Sequence, residues 1–286
     1  MSASLRTSDG RKLTYAVVSD GSPQTLVCHP GGPGLSGAYF GRLAGVGAGE
    51  LRVVTLNPRG TGGSSQPPDG SYELEDYAED LDQLRAHLGL EQFDLLGHSH
   101  GGFVGMVYAL RYPGRLRRLV LLCTAPRFSE ELREESERAR EAHRGHSWFE
   151  DSMQALERRQ AGDFESPEEA AALYAREARL WFAPEAVPAA EGFLEEFGQN
   201  RPDLNALGYF NTRLAPSYDM RPQLREIAVE TLVLNGAADF FGPRISAREL
   251  EAIPDARVVL LPDSGHFPFV DQPERFRQEV ETFLLA

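Results

Sequence analysis

Phe93-Asp94-Leu95-Leu96-Gly97-His98-Ser99-His100-Gly101-Gly102 is the stretch that decides how this chain is read. A short apolar strand runs into Gly97-x-Ser99-x-Gly101, and a helix of small residues is expected over 101–112, with Phe103, Val104, Val107 and Leu110 at its apolar positions. So tight a turn forces a strained backbone on Ser99, and bulk two residues to either side would strike the neighbouring chain. Gly97 and Gly101 remove that bulk. The Ser99 hydroxyl then stands at the tip of the turn, beside a helix N-terminus whose unpaired N–H groups favour developing negative charge. Ser99 is the expected nucleophile.

On the N-terminal side, 5–7 and 13–18 read as a hairpin about Asp9-Gly10, and 25–28 as the first buried strand. That strand leads into His29-Pro30-Gly31-Gly32-Pro33-Gly34, where Gly and Pro bar both helix and strand. The backbone N–H groups of such a loop stay unpaired and can aim at an oxyanion. Residues 51–56 give a further strand, followed by the glycine-rich loop 57–65. This loop lacks the Lys-Ser/Thr of a phosphate-binding loop, so it is read as a shaped loop with Arg59 structural. Residues 73–88 carry the stripe Leu74, Tyr77, Ala78, Leu81, Leu84, Leu88 of an amphipathic helix, and 119–123 is another strand. Alternating strands and helices predict an α/β fold, a mostly parallel sheet covered on both faces.

From 127 to 221 the pattern becomes helical, with helices expected over 130–144, 151–159, 168–181 and 189–197. Strand–helix alternation returns at 231–234, 244–252, 257–261 and 271–285, the last opening on Asp271-x-x-Glu274, which resembles a capping box. The expected organisation is a core of 1–126 and 222–286 with a helical cap, 127–221, inserted over the carboxyl ends of the strands as a lid.

A serine needs a base, and the base needs an orienting acid. His98 and His100 flank Ser99 on an elbow that turns neighbours away, so they pack or line the pocket. His29 braces its loop, and His87 lies near a helix end. His143 and His146 have a spacing that could hold a metal, but no further ligand accompanies them, and no metal site is expected. His266, in Pro262-Asp-Ser-Gly-His266-Phe-Pro, follows a buried strand and falls at the same sheet edge as Ser99. Asp239, just past the strand in Leu232-Val-Leu-Asn-Gly236-Ala-Ala-Asp239, is the expected acid, with Asp263 a weaker rival and turn former. The order Ser99, Asp239, His266 is that of a hydrolytic triad built on strand ends.

The formal charge of −14, from 43 acidic against 29 basic residues, argues against nucleic acid or an anionic membrane as partner. The start has no apolar signal core, and no run reaches membrane-spanning length. Cys28 and Cys123 end separate strands and are expected as buried thiols in a reducing compartment. A cytoplasmic protein with a small-molecule or short-peptide substrate, and no cofactor, is expected.

The motifs Gly31-Gly32-Pro33-Gly34, Pro58-Arg59-Gly60-x-Gly62-x-Ser64, Gly97-x-Ser99-x-Gly101-Gly102, Gly236-x-x-Asp239 and Gly265-His266 together resemble α/β-hydrolases, most of all the proline iminopeptidases. The resemblance implies an α/β-hydrolase fold, with oxyanion donors at the N–H groups of Gly32 and His100. Pro30 interrupts the family's His-Gly-Gly-Pro-Gly, so Gly31 is an alternative donor. Asn57-Pro58 stands where the family has Asp-Gln. The family's cap glutamates, which hold the substrate's amine, match Phe182 after Trp181 and Ala206 ahead of Tyr209-Phe210. Trp181, Phe182 and Tyr209 are the expected substrate-binding residues, and Glu177, Glu185, Glu195 or Glu196 the acidic substitutes. The implied activity is a serine hydrolase cleaving a small amide or ester through an acyl-enzyme. A carboxylesterase and a non-catalytic ligand receptor on the same fold are the alternatives.

Overall fold

The computed structural model describes residues 2–21, 24–41 and 43–286. Among these residues eight strands form one sheet: β1 Ser2–Arg6, β2 Lys12–Asp20, β3 Thr25–His29, β4 Arg52–Asn57, β5 Phe93–His98, β6 Leu116–Leu122, β7 Thr231–Gly236 and β8 Ala256–Leu261. Their spatial order is β1-β2-β4-β3-β5-β6-β7-β8. The β1–β2 hairpin runs antiparallel and β2 meets β4 antiparallel, while every pairing from β4 through β8 is parallel. Alternation along each strand explains why both faces are dry. Leu26, Leu96, Val120, Leu122, Leu232 and Leu234 enter one apolar cluster, and Val27, Leu95, Leu119, Leu121 and Val233 the other.

Helices α1 Leu74–His87 and α2 His100–Arg111 supply Leu81, Leu84, Phe103 and Val104 to the second cluster. Between β6 and β7 the chain forms α3 Glu130–Glu141, α4 Phe149–Ala161, α5 Pro167–Glu177, α6 Val187–Phe197 and α7 Leu204–Tyr209, the last running into a π-turn, Phe210–Leu214. Helix α8 Pro243–Leu250 follows β7. The C-terminal segment is not the single capped helix that the sequence predicts. It breaks into α9 Pro268–Asp271 and α10 Pro273–Leu284, with Gln272 making no side-chain cap at the junction. Asp271 is drawn away from capping because its carboxylate accepts the Gly265 N–H at 2.6 Å. Phe276, Val280 and Phe283 of α10 still bury one face in the first cluster. Among the described residues no helix is long and apolar enough to cross a membrane.

Register places the site. His29 pairs with Gly97, His98 with Leu122, and Gly236 with Leu261, so the loops leaving β3, β5, β7 and β8 emerge along one sheet edge. Arg59 is structural, as expected. Buried, it donates to Asp80 at 2.9 Å and to the Ser71 and Asp76 carbonyls, while Arg11 holds the other side of Asp80.

Candidate active site

The β5–α2 turn carries Ser99 at φ 55°, ψ −118°, a conformation that residues with a Cβ seldom adopt. Close packing imposes it. A Cβ on Gly97 would stand 2.2 Å from the Gly101 carbonyl oxygen, and one on Gly101 would stand 2.2 Å from that of His29. The Ser99 N–H donates to the Leu122 carbonyl, and its own carbonyl accepts from Gly102 N–H and the Thr124 hydroxyl. Among the described residues nothing hydrogen-bonds to the hydroxyl, and Ser99 lines a cavity of about 120 Å³.

Beyond β8, the backbone N–H of His266 donates to the Trp181 carbonyl at 2.5 Å, which fastens the loop to the overlying helices. The next residue, Phe267, is buried against Phe182, Phe193 and Phe197, and burying such a ring contributes about 1.5–3 kcal/mol. The His266 imidazole donates from Nδ1 to Asp239, 2.9 Å from Oδ1 and 3.1 Å from Oδ2, with both side chains almost wholly buried. With Nδ1 so engaged, Nε2 is the ring nitrogen left for the cavity that His266 and Ser99 both line. No direct hydrogen bond joins Ser99 to His266, a looseness common in sites without substrate. Asp263, the weaker rival, sits exposed at φ 55° and serves the turn.

Gly31, Gly32 and Ser99 share the cavity wall. The Gly31 N–H is spent on the Tyr39 hydroxyl at 2.6 Å, whereas among the described residues no protein acceptor meets the N–H of Gly32 or of His100. Tyr39 in turn donates to His98 Nδ1 at 2.7 Å, and His98 Nε2–H donates to the His266 carbonyl at 2.8 Å. The carbonyl can only accept, which fixes the His98 tautomer. This relay ties the β3 loop to the His266 loop, and nothing in the spacing of Tyr39 announced it. Burial drives His98 well below the usual imidazole range, His29 down to about 4 and His100 down to about 3. All three stay neutral behind the elbow.

Of the expected substrate-binding residues, only Trp181 lines the cavity. Phe182 is fully buried between Phe193 and Phe267, because the chain turns inward after Trp181. Tyr209 lies on an outer groove, its hydroxyl bonded to Glu73. The π-turn instead brings Phe210 and Asn211 to the wall, with Leu207 of α7 beside them. Glu185, Glu195 and Glu196 are exposed. Glu177 is buried in the wall, held by Arg159.

Cys28 and Cys123 are buried and unbridged. Cys123 brings a ligand-type atom within 4.8 Å of Asp239 and His266. Burial raises its thiol well above the usual range, so it stays protonated. His143 and His146 pack with the Trp148 ring.

The sequence model of the alpha/beta hydrolase fold family matches residues 24–273. The chain belongs to the α/β-hydrolase family. Within it, the chain is similar to a proline iminopeptidase of Clostridium botulinum, 28% identical over 96% of this chain and 94% of that one. Its fold matches a hydrolase from Pseudomonas aeruginosa with TM-score 0.76 and 29% identity, covering 100% and 98% of the two chains. It also matches an esterase from Thermogutta terrifontis, with TM-score 0.71 and 25% identity over 100% and 98%. Within this α/β-hydrolase fold, the Ser99, Asp239 and His266 loops all open at the carboxyl edge of the parallel strands.

Proposed function

We propose that this α/β-hydrolase is a serine hydrolase that cleaves a small amide or ester through an acyl-enzyme. The observation that carries the reading is the buried Asp239–His266 pair, which leaves imidazole Nε2 for the cavity that His266 and Ser99 line together. Ser99 Oγ attacks the substrate carbonyl carbon as its proton passes to His266 Nε2, and Asp239 stabilises the resulting imidazolium. The carbonyl oxygen becomes an anion held by the N–H groups of Gly32 and His100, Gly31 being engaged by Tyr39. Collapse breaks the bond to the leaving group, which departs with the proton from His266. Water then adds to the acyl-enzyme with His266 as base, and the acid is released with Ser99 restored.

Relatives that are proline iminopeptidases favour an N-terminal prolyl amide as substrate. A carboxylic ester is the second reading, and it is favoured by one observation: among the described residues the one glutamate in the cavity wall, Glu177, is buried and already paired with Arg159. We take 127–221 as the cap over the site. The two buried free thiols fit a cytoplasmic location.

Labelling with a fluorophosphonate tests the reading. Ser99 of the wild type is expected to be phosphonylated and the Ser99→Ala variant to stay unlabelled, with turnover of a proline arylamide and short acyl esters measured side by side. A folded wild type that takes no label would make the protein a ligand receptor instead.

A further inference from the structure

The cap wall of the cavity contains a charged unit that the sequence pattern did not reveal. Glu177, at the end of α5, has a side chain only 3% exposed. Its carboxylate accepts from Arg159 Nε and, at 2.8 Å, from Arg159 Nη2, and Trp181 Nε1–H donates to it at 3.2 Å. Arg159 projects from α4, its guanidinium 4.8 Å from the Tyr174 ring centroid. Arg159, Tyr174, Glu177 and Trp181 all line the cavity that holds Ser99 and His266.

Two consequences follow from counting donors and charges. Three protein donors take up most of the roughly four acceptor sites of the Glu177 carboxylate, and the neighbouring guanidinium offsets its charge, so an ammonium group entering the cavity gains little attraction there. Taking the carboxylate from arginine would leave a cation unpaired and nearly buried, which is strongly unfavourable. Arginine has five N–H donors. Two go to Glu177 and the Tyr174 hydroxyl can take one more, so at least two remain for a substrate acceptor. The pair is neutral and the protein carries −14 overall, so nothing here calls for an anion.

We propose that the Arg159–Glu177 pair selects an uncharged acyl group bearing a hydrogen-bond acceptor close to the reacting carbonyl, and discriminates against a free N-terminal amine. This rests on the serine-hydrolase reading of the same cavity and, between its two substrate readings, sides against the prolyl amide. The acceptor, a ring ether, hydroxyl or carbonyl oxygen, takes an N–H from Arg159 while Glu177 keeps the guanidinium in its plane.

Three naphthyl esters of nearly equal shape test it: tetrahydrofuroate, whose ring oxygen accepts; cyclopentanecarboxylate, which does neither; and the prolyl ester, at a pH where its nitrogen is protonated. In the wild type the ether is expected to exceed the prolyl ester in kcat/KM by about ten- to hundredfold, the range of one charge-assisted hydrogen bond, with cyclopentanecarboxylate between them. Arg159→Met is expected to erase the advantage of the ether over the carbocycle and to raise the prolyl ester, because Glu177 is freed. Glu177→Gln keeps the cation and is expected to lower the prolyl ester further. A wild type that prefers the prolyl ester, or an Arg159→Met ranking identical to wild type, overturns the proposal. If Arg159→Met does not fold, the wild-type and Glu177→Gln rankings still decide. Fluorophosphonate labelling of Ser99 runs in parallel. A labelled enzyme with the wrong ranking refutes only the specificity, whereas an unlabelled wild type refutes the reading beneath it.

Discussion

The two walls of the cavity are held by different means. On the core side, Ser99, Gly32 and His100 are fixed chiefly by backbone: strand ends in register, a helix N-terminus, and glycines that let main chains approach where a Cβ would collide. On the side of the proposed cap, position comes from side chains, with Arg159 clasped by Glu177, Glu177 by Trp181, and aromatic rings packed around them. Backbone placement leaves little freedom and suits a reaction whose geometry must not vary. Side-chain placement can be rewritten by one substitution, which suits selection among substrates. Lesions in the core wall should therefore slow all substrates alike, and lesions in the cap wall should reorder them.

The largest effect sharpening this contrast is expected from Ser99→Ala. It should lower kcat by about 10⁶ for every ester and amide tested, as loss of a serine nucleophile does elsewhere, with thermal unfolding little changed. Asp239→Asn should follow, lowering kcat by about 10⁴, because an amide facing Nδ1 favours the wrong imidazole tautomer. Its ratio of ester to amide turnover should stay that of the wild type. A shifted ratio would place Asp239 in substrate selection and break the contrast.

Tyr39→Phe is a smaller lesion. It removes the hydroxyl between Gly31 N–H and His98, leaving buried polar atoms unpaired, and should cost about tenfold in kcat uniformly across substrates. Steady-state rates on matched esters would check it, and an effect confined to one acyl group would contradict a purely positioning role.

The mildest expectation concerns Asp271, which accepts the Gly265 N–H and anchors the His266 loop from the core side. Burial pushes its carboxyl up to about 7 from an ordinary 3.8. Between those values the native protein holds a proton that the unfolded chain has lost. The contribution of this group to stability is therefore largest at acid pH and declines as pH rises through about 7. Urea midpoints measured against pH should show that decline in the wild type and lose this component in Asp271→Asn, whose amide does not titrate. Unchanged slopes in the variant would show that other groups set the pH dependence.

The core wall could be read in the sequence because its logic is local. Gly97-x-Ser99-x-Gly101 between an apolar strand and a small-residue helix leaves few conformations, and Asp239 and His266 each follow a strand at a recognisable loop. Strand–helix alternation likewise gave the layered sheet. The cap wall could not be read this way. Glu177 is one acid among many in a charged segment, and only the packing of α4 on α5 separates it from its exposed neighbours. Matching by neighbouring aromatics pointed to Phe182 and Tyr209, but the chain direction after Trp181 and the π-turn rotate Phe210 and Asn211 into the cavity instead. The Asp271-x-x-Glu274 pattern failed for a similar reason: a long-range bond to Gly265 outcompeted a local cap.

The most direct measurement is a crystal structure of the wild type after reaction with a small alkyl fluorophosphonate. The expected adduct has a phosphorus–oxygen bond to Ser99, the phosphoryl oxygen accepting from the N–H groups of Gly32 and His100, and His266 Nε2 within hydrogen-bond reach of the Ser99 oxygen while Nδ1 remains on Asp239. An adduct on another residue, or an imidazole swung away from the adduct, would contradict it.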